Sequence, residues 1–321
     1  MTNPRDEVIT AFPNFAPEKQ EQSLPGHESE LQPGASHLQV EKWGNDGTPY
    51  LQEYQGSDRL VDARTGTKQA KSALITGGDS GIGRAVAIAF AREGARLTIA
   101  HLPEEREDAE RTAQLIRESP MGSKEVLTVA GDLMDVKHVQ ELVQKHVQHH
   151  GGLDILVNNA SKQIACPDFA EIDLANVEST FRSNILAMHA LTKYALPHLK
   201  RGAAIINTSS VTAFKGSKAM VDYSSTKAAI VGFTRSLALQ LAPKGIRVNS
   251  VAMGPVYTPL QPASRSADNM EDWGVGALPL YGRPGQPAEL AGAYVFLADA
   301  GTSNLMTGQT LHINSGQWFG S

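Results

Sequence analysis

The strongest constraint on the fold is an alternation of short β-branched runs with longer amphipathic segments, which begins abruptly at Lys71. The alternation predicts strands at residues 72–76, 96–100, 125–130, 153–158, 203–208, 246–251 and 310–313. Helices are predicted at residues 82–93, 104–118, 136–149, 174–198, 223–241 and 288–298, with Asp135 and Asp173 as N-caps. Strands and helices in this order form βαβ units, so we expect an α/β fold: a Rossmann-type, doubly wound, seven-stranded parallel sheet flanked by helices.

Residues 1–68 differ from the rest of the chain because they lack a sustained helical or alternating pattern and are rich in Pro, Gly, Gln, Glu and Ser. Such a composition is typical of a disordered, solvated leader. Five aromatic side chains argue against that alternative, since they are costly to leave in water: Phe12, Phe15, Trp43, Tyr50 and Tyr54. We therefore expect an irregular N-terminal arm at residues 1–68, lying on its own or a neighbouring subunit, and one α/β domain at residues 69–321.

Charge and composition exclude several classes of function. Residues 1–70 contain six Lys/Arg and eleven Asp/Glu, which accounts for the whole net charge of −5. The remaining residues are neutral and have no basic stripe, so we expect no nucleic-acid partner. Cys166 is the single cysteine, which excludes an intrachain disulfide and fits a reducing, cytoplasmic compartment. No run approaches the roughly 18 apolar residues of a membrane span, and residues 1–10 show no secretory signal.

A glycine-rich segment, TGGDSGIG at residues 76–83, joins the first predicted strand to the first predicted helix. Gly77 can form a tight turn, Gly81 can let the backbone approach a pyrophosphate, and Gly83 can let the helix pack closely on the strand. Unpaired N–H groups at the helix N-terminus would then bind the phosphates. This pattern is weak by itself, but its place at the first strand-to-helix junction indicates a dinucleotide site. The candidate contacts are Gly77, Asp79, Ser80, Gly81, Ile82 and Gly83.

The residue after the second strand usually decides between NAD and NADP, because an acidic side chain binds the ribose 2′-hydroxyl and a basic one accommodates a 2′-phosphate. His101 occupies this position, so neither rule applies. Asp79, Glu104 and Glu105 would repel a 2′-phosphate, whereas His101 could donate to it or be an ordinary loop residue. The sequence slightly favours NAD over NADP. Further cofactor contacts are expected at Asp132, Leu133, Asn159 and Ala160, of which Asp132 could instead simply begin a turn.

Tyr223 and Lys227 lie four residues apart near the start of the fifth predicted helix, which places them on one face. A free tyrosine titrates near pKa ~10, but a neighbouring ammonium group and an oxidised nicotinamide ring would lower the pKa of Tyr223. Tyr223 could then exchange a proton with an alcohol or a carbonyl as a hydride moves. A Tyr–Lys pair at this spacing is more often a surface pair, so the interpretation depends on its neighbours.

Two polar residues support the interpretation. Ser210 lies just beyond the strand at residues 203–208, at the sheet edge where ligands bind, and its hydroxyl could stabilise a developing alkoxide. Ser209 is the competing candidate, or a turn former. Asn184 lies in the middle of a predicted helix, where a short amide is a poor helix former. A water molecule held by Asn184 could connect Lys227 to solvent, although a single Asn in a helix is more often structural.

In order and spacing, these residues resemble the short-chain dehydrogenase/reductase family over about residues 68–321. The shared elements are the glycine segment at residues 76–83, Asn158-Asn159-Ala160, Asn184, Ser210, Tyr223, Lys227 and Gly254-Pro255. The resemblance implies that Tyr223 is the catalytic acid/base and that Lys227 also binds the nicotinamide ribose. It implies that Ser210 orients the carbonyl and that Asn184 belongs to a proton relay.

The resemblance extends to other contacts and to a subgroup. It implies that Asn158 supports the central sheet and that Pro255, Val256 and Thr258 contact the nicotinamide end of the cofactor. Within the family, residues 205–259, the long leader and the glycine segment are similar to bacterial general-stress oxidoreductases, plant aldehyde reductases and glucose/ribitol dehydrogenases. That similarity implies an NAD(P)(H)-dependent oxidoreductase acting on a small or medium aldehyde, ketone or polyol. Family members are commonly homo-tetramers joined through the helices that correspond to those carrying Asn184 and Tyr223.

Three positions depart from the family pattern. Ser161 replaces the glycine usual after Asn-Asn-Ala, which narrows the space beside the nicotinamide. His101 replaces an acidic residue, and residues 314–316 read Asn-Ser-Gly in place of Asp-Gly-Gly. Because His101 replaces the acidic residue, the preference between NAD and NADP stays open.

Residues 255–280 follow the sixth strand and are long, irregular and rich in Pro, Gly and Ser, as expected of a lid over a binding site. Substrate-pocket candidates are Ser161, Gln163, Phe214, Tyr257 and Trp273, although some of these could simply pack the lid down. His146, His149 and His150 have no acidic or Cys partner nearby in sequence, so no metal site is predicted. The alternative function is a non-catalytic, dinucleotide-binding stress or scaffold protein.

Overall fold

The computed structural model describes residue 5, residues 8–62 and residues 69–320. Its strands are β1 (Gln39–Trp43), β2 (Pro49–Glu53), β3 (Val61–Asp62), β4 (Gln69–Ala70), β5 (Ser72–Thr76), β6 (Arg96–His101), β7 (Val126–Ala130), β8 (Leu153–Asn158), β9 (Leu199–Ser210), β10 (Arg247–Met253) and β11 (Thr310–Ile313). Its α-helices are α1 (Gly81–Arg92), α2 (Arg106–Glu118), α3 (Val136–His150), α4 (Leu174–Phe181), α5 (Ala187–Ala195), α6 (Thr212–Lys215), α7 (Val221–Leu241), α8 (Pro287–Ala298) and α9 (Ala300–Ser303).

The strands from β5 to β11 form one seven-stranded sheet in the order β11-β10-β9-β8-β5-β6-β7. Every pairing in this sheet is parallel, which confirms the predicted doubly wound sheet. The strand order reverses between β5 and β8, because the chain moves outward to β7 and then returns to the other side of β5. A reversal of this kind opens a crevice at the carboxyl ends of the strands, where ligands bind.

Helices cover both faces of the sheet. The helices α1 and α8 pack on one face, where Phe90 and Tyr294 are fully buried. The helices α3, α5 and α7 pack on the other face through residues such as Leu142 and Leu191. All five residues of β5 are buried, as expected of a central strand covered on both sides. None of the described helices is both long and apolar enough to span a membrane.

The predicted helix at residues 174–198 is the main error among the predicted elements. A π-helix at Arg182–Leu186 separates α4 from α5. A π-helix inserts an extra residue into a helical turn and often marks a functional site. The predicted N-caps are confirmed, since the carboxylates of Asp135 and Asp173 accept hydrogen bonds from the N–H groups two residues further on.

The N-terminal arm packs on the α/β domain of its own chain, which argues against a solvated leader. The strands β1 and β2 form an antiparallel hairpin, a regular element that the sequence analysis did not predict. The Tyr54 hydroxyl donates to Glu93 Oε1 at 2.6 Å, and Phe12 is buried. Trp43 stacks on Tyr281 with ring centroids 5.6 Å apart. The predicted end of the arm at residue 68 falls within residues 63–68, outside the described residues.

The arm also holds the segment at residues 255–280. This segment is irregular, with short 3₁₀ turns at Pro262–Ser264 and Ala267–Asn269. Lys19 forms an ion pair with Asp268, and the Gln22 N–H donates to the Pro262 carbonyl at 3.1 Å. The segment is therefore fastened from outside by residues distant in sequence.

Arg283 joins the arm to the α/β domain, and its loss should destabilise the protein. Its buried guanidinium lies 3.0 Å from Glu41 of β1 and 2.9 Å from Glu289 of α8. In Arg283→Leu both carboxylates would lose their cation, so we expect the free energy of unfolding to fall by about 3–5 kcal/mol, measured by urea denaturation. Arg182→Leu, which removes an exposed ion pair with Glu178, should cost less than about 1 kcal/mol. An unchanged midpoint for Arg283→Leu would contradict this account.

Candidate active site

A cleft of about 760 Å³ opens at the carboxyl ends of the parallel strands, where the strand order reverses. Its size lies within the range of small-molecule sites. Predicted site residues that line it are Gly77, Asp79, Ser80, Gly81, Ile82, His101, Asp132, Leu133, Asn159, Ala160, Ser161, Gln163, Ser210, Tyr223, Lys227, Pro255, Val256, Thr258 and Trp273. The fold thus brings residues that are far apart in sequence into one cleft.

The glycine segment has the backbone geometry that a phosphate-binding turn requires. Gly77 and Gly81 have φ angles of +59° and +48°, a region that L side chains rarely adopt. A Cβ atom on Gly83 would lie 1.7 Å from the Gly77 carbonyl oxygen, so helix α1 can pack here only without a side chain. Helix α1 therefore begins directly behind the turn and directs its N-terminus to the cleft, an arrangement that fits the diphosphate of a dinucleotide.

The end of β5 is fixed against the end of β8. The Thr76 hydroxyl oxygen accepts the N–H groups of Asn159 and Ala160 at 2.9 and 3.0 Å. The Asn159 side-chain amide donates to the carbonyl oxygens of Thr76 and Gly77. Asn159 thus supports the glycine turn from the neighbouring strand. Asn158 donates to Asn207 Oδ1 at 2.9 Å and thereby ties β8 to β9.

At the end of the cleft next to β6, burial raises the pKa of two carboxyl groups. Burial raises the pKa of Asp79 to about 6. Burial, together with the neighbouring Asp79, raises the pKa of Glu105 to about 8. Burial also lowers the pKa of His101, whose Nδ1 lies 2.7 Å from the Leu102 carbonyl oxygen. Asp132 accepts the Met134 N–H at 2.8 Å and so begins a turn, the alternative considered for it.

Tyr223, Lys227 and Ser210 meet on one wall of the cleft. Lys227 Nζ lies 5.3 Å from the centre of the Tyr223 ring and donates to the Thr208 carbonyl at 2.9 Å. Ser210 lies close enough to Tyr223 to act on the pKa of its phenol, and its hydroxyl oxygen accepts the Thr212 N–H at 3.2 Å. Ser209 points away, since its hydroxyl donates to the backbone carbonyl of Lys227 at 2.8 Å. The geometry therefore favours Ser210 over its neighbour.

The pKa of Tyr223 differs from the sequence-based expectation that neighbouring positive charge would lower it. Burial raises the pKa of Tyr223 to about 12, although the hydrogen bond from Ser210 and the positive charge of Arg265 act to lower it. Burial lowers the pKa of Lys227 to about 7. Among the protein's own groups, desolvation thus outweighs the expected effect of the ammonium on the phenol, because both side chains are buried.

Asn184 lies in the π-helix, next to the wall formed by Ser210, Tyr223 and Lys227, and is not part of that wall. Its Oδ1 accepts the Lys162 N–H at 2.7 Å, and its Nδ2 donates to the Lys162 carbonyl at 2.8 Å. Nδ2 also lies 3.1 Å from the hydroxyl of Thr226, the residue before Lys227. The amide therefore holds the loop after β8 against α7, a longer-range role than the local hydrogen bond expected for an Asn in a helix.

Two predicted pocket residues lie outside the cleft. Tyr257 is buried against the arm, where its hydroxyl donates to the Gln32 carbonyl at 2.6 Å. Phe214 packs against His312 and Trp318, with ring centroids 4.7 and 4.6 Å away. Both assignments are corrected: one side chain fastens the arm, and the other belongs to an aromatic cluster.

The structure adds residues that the sequence analysis missed. Arg265 lines the cleft with its guanidinium 5.0 Å from the centre of the Trp273 ring. The signal was present, since Arg265 is the only basic residue in residues 255–280. Leu24 of the arm also lines the cleft, and the carboxylate of Glu28 accepts the Gly81 N–H at 2.8 Å. No local pattern connects the arm with the glycine turn, so these contacts required the fold.

The histidines of α3 have an acidic partner that their sequence neighbours do not reveal. Glu125 lies just before β7, with its Oε1 3.0 Å from His150 Nδ1, and a ligand atom from each of Glu125, His149 and His150 lies within 4.8 Å of the others. The acidic partner is absent from the neighbouring sequence, as stated, but the fold supplies one from 25 residues away. His150 Nε2 is 3.1 Å from the Leu97 carbonyl oxygen, so both ring nitrogens already have protein partners.

Comparisons with known proteins agree with this geometry. A family model described as enoyl-(acyl carrier protein) reductase matches residues 77–317. The uncharacterized oxidoreductase YhdF of Bacillus subtilis (strain 168) is 50% identical over 267 residues, 83% of this chain and 87% of that protein. NADPH-dependent aldehyde reductase 1, chloroplastic, of Arabidopsis thaliana is 43% identical over 306 residues, 94% of this chain and 98% of that protein.

A solved structure leads to the same family. A short chain dehydrogenase from Burkholderia cenocepacia J2315 in complex with NADP superposes with a TM-score of 0.69 at 30% identity, covering 77% of this chain and 97% of that chain. The resemblance found in the motifs is thereby confirmed. The chain belongs to the short-chain dehydrogenase/reductase family and is an NAD(P)-dependent oxidoreductase.

Proposed function

We propose that this protein transfers a hydride between NAD(P)(H) and a small or medium aldehyde, ketone or polyol, with Tyr223 as the acid/base. The observation that carries the proposal is the meeting of Tyr223, Lys227 and Ser210 in the cleft that also contains the glycine turn. The similarity to a protein named NADPH-dependent aldehyde reductase supports an aldehyde as substrate.

Several residues would hold the dinucleotide, which supplies or accepts the hydride when bound. The glycine turn would bind the diphosphate together with the N–H groups at the start of α1 other than that of Gly81, which Glu28 already accepts. Lys227 donates to the nicotinamide ribose, and Val256 and Thr258 contact the nicotinamide end. The contacts of Asn159 with Thr76 and Gly77 keep the turn in place before the cofactor binds.

The remaining residues handle the proton. In the reducing direction, Ser210 donates a hydrogen bond to the carbonyl oxygen and Tyr223 gives its proton to the same atom as the hydride reaches the carbon. The raised pKa of Tyr223 keeps the phenol protonated and ready to donate at neutral pH. Lys227 and a water molecule beside Asn184 return a proton to Tyr223 from solvent.

Replacing Tyr223 tests the chemistry directly. Tyr223→Phe keeps the ring but removes the proton donor, so we expect kcat to fall by about 10²- to 10⁴-fold while dinucleotide affinity changes little. Nicotinamide absorbance with a panel of aldehydes and polyols measures the rate, and fluorescence titration measures the binding.

Tyr194→Phe is a matched control, because Lys193 Nζ also lies 5.3 Å from the Tyr194 ring but neither residue lines the cleft. This control should keep full activity. If the wild-type protein turns over no substrate and Tyr223→Phe binds dinucleotide equally well, the non-catalytic alternative would be supported instead.

We propose that both dinucleotides bind, with a preference for NAD that increases with pH. Glu105 lines the cleft near His101, and its carboxyl is neutral below a pKa of about 8 and charged above it. The charged form repels a 2′-phosphate, so the ratio of the Kd for NADPH to the Kd for NADH should rise several-fold from pH 7 to pH 9. Glu105→Gln should remove this rise, whereas Glu104→Gln on the same turn should retain it. A ratio independent of pH in the wild-type protein would contradict the assignment.

We also propose that the protein is a cytoplasmic homo-tetramer. Its subunits would associate through α4, the π-helix that contains Asn184, α5, and the helix α7 that contains Tyr223. Leu174, Leu186 and Leu239 on α4, the π-helix and α7 are 75%, 59% and 80% exposed, an apolar surface that association would cover. Light scattering should give about four times the chain mass of 34.4 kDa, and Leu186→Asp should reduce it. A monomeric wild-type protein would contradict the proposal.

A further inference from the structure

The cleft is divided into an acidic half and a basic half. The carboxyl groups that line it follow β5, β6 and β7, and they are Asp79, Glu104, Glu105 and Asp132, of which Glu105 is largely neutral at pH 7. Apart from Lys227, the lining Lys and Arg residues follow β8, β9 and β10, and they are Lys162, Lys215, Lys218 and Arg265. These strands lie on opposite sides of the reversal point, so the two sets occupy opposite ends of the cleft. The basic end is the one that contains Ser210 and Tyr223.

Arg265 is the most informative member of the basic set, because it is half-buried and has no acidic partner in the part of the chain that the structure describes. Its Nη1 donates to Gln261 Oε1 at 2.6 Å and to the Ser264 hydroxyl at 3.3 Å, both neutral groups. Within the described residues no carboxylate pairs with it, and burial lowers its pKa to about 10, which leaves it charged at neutral pH. A cation removed from water without a counterion is unfavourable, so a ligand anion would stabilise it.

The position of Arg265 connects this charge to the reacting group. The guanidinium lies close enough to the Tyr223 phenol for its charge to lower the pKa of Tyr223. One face of the guanidinium is covered by Trp273, at 5.0 Å from the ring centre, which restricts its orientation. The planar guanidinium can bind both oxygens of a carboxylate or phosphate at once.

We propose that the substrate carries a carboxylate or phosphate group that binds Arg265 while its carbonyl lies at Ser210 and Tyr223. This inference rests on the proposed function and narrows it to anionic aldehydes, ketones and the corresponding alcohols. The exposed Lys215 and Lys218 at the cleft then attract the anion, and Arg265 binds it.

Matched substrate pairs test the proposal. Succinic semialdehyde is compared with its neutral methyl ester, and glyceraldehyde 3-phosphate with glyceraldehyde. A charge-assisted pair of this kind should raise kcat/KM for the anionic member by about 10- to 100-fold. The pair that shows the larger ratio of anionic to neutral kcat/KM indicates whether the site prefers a carboxylate or a phosphate.

Variants of Arg265 test whether this side chain causes the preference for anionic over neutral substrates. Arg265→Gln should bring the ratio of kcat/KM for the anionic substrate to kcat/KM for the neutral substrate close to one. Arg265→Lys should restore part of the preference for the anionic substrate. Arg111→Gln, on the exposed side of α2 and away from the cleft, is the matched control and should leave the ratio unchanged. If Arg265 only tuned the pKa of Tyr223, its loss would change both members of a pair equally and shift the pH profile. That result would overturn the proposal, as would weaker dinucleotide binding without a change in the ratio.

A binding measurement separates this inference from the proposed function. Calorimetry on Tyr223→Phe with bound NADH should detect succinic semialdehyde more strongly than its methyl ester, and the added Arg265→Gln change should abolish the difference. If the wild-type protein reduces none of the aldehydes but this difference is present, the proposed reaction fails and the anion site stands. If the wild-type protein reduces both members equally and binds them equally, the reaction stands and the anion site is refuted.

Discussion

The structure depends on the contact between the ends of β5 and β8, the two central strands at which the strand order reverses. Thr76 accepts the N–H groups of Asn159 and Ala160, and Asn159 in turn donates to the carbonyl groups of the glycine turn. Because Gly83 has no side chain, helix α1 begins close behind this turn. The contact between these two strand ends therefore shapes the glycine turn and one wall of the cleft.

On the opposite wall of the cleft, removal of Tyr223 and Lys227 from water decides their ionisation. Tyr223 and Lys227 are buried together, which raises the pKa of the phenol and lowers the pKa of the amine. Burial thus keeps the phenol neutral at pH 7 and weakens the preference of the amine for its charged form, and a bound pyridine ring or a substrate anion would change that balance. Acidic side chains lie towards β6 and β7 and basic ones towards β9 and β10, and in our proposal this difference in charge directs the adenosine to the acidic end and the substrate to the basic end.

The sequence predicted the sheet, its strands and a set of residues that line one cleft, because βαβ units produce strong local periodicity and the glycine turn occupies a fixed place in them. It failed where the structure depends on contacts between distant segments. The helix at residues 174–198 looked continuous, yet Asn184 bonds to the loop at Lys162 and the chain forms a π-helix there. Tyr257 looked like a pocket residue, yet its hydroxyl binds the arm at Gln32.

The sequence by itself determined the order of the strands and helices, the glycine turn, and the spacing of Tyr223 and Lys227, since each of these is a local property of neighbouring residues. The tertiary structure alone decided which face of the arm covers the domain and which serine faces the cleft. It also decided that Arg265 lines the same cleft as Tyr223 and that no carboxylate of the described residues pairs with it. Such facts concern burial and distances between segments far apart along the chain, and no local pattern of residues encodes them.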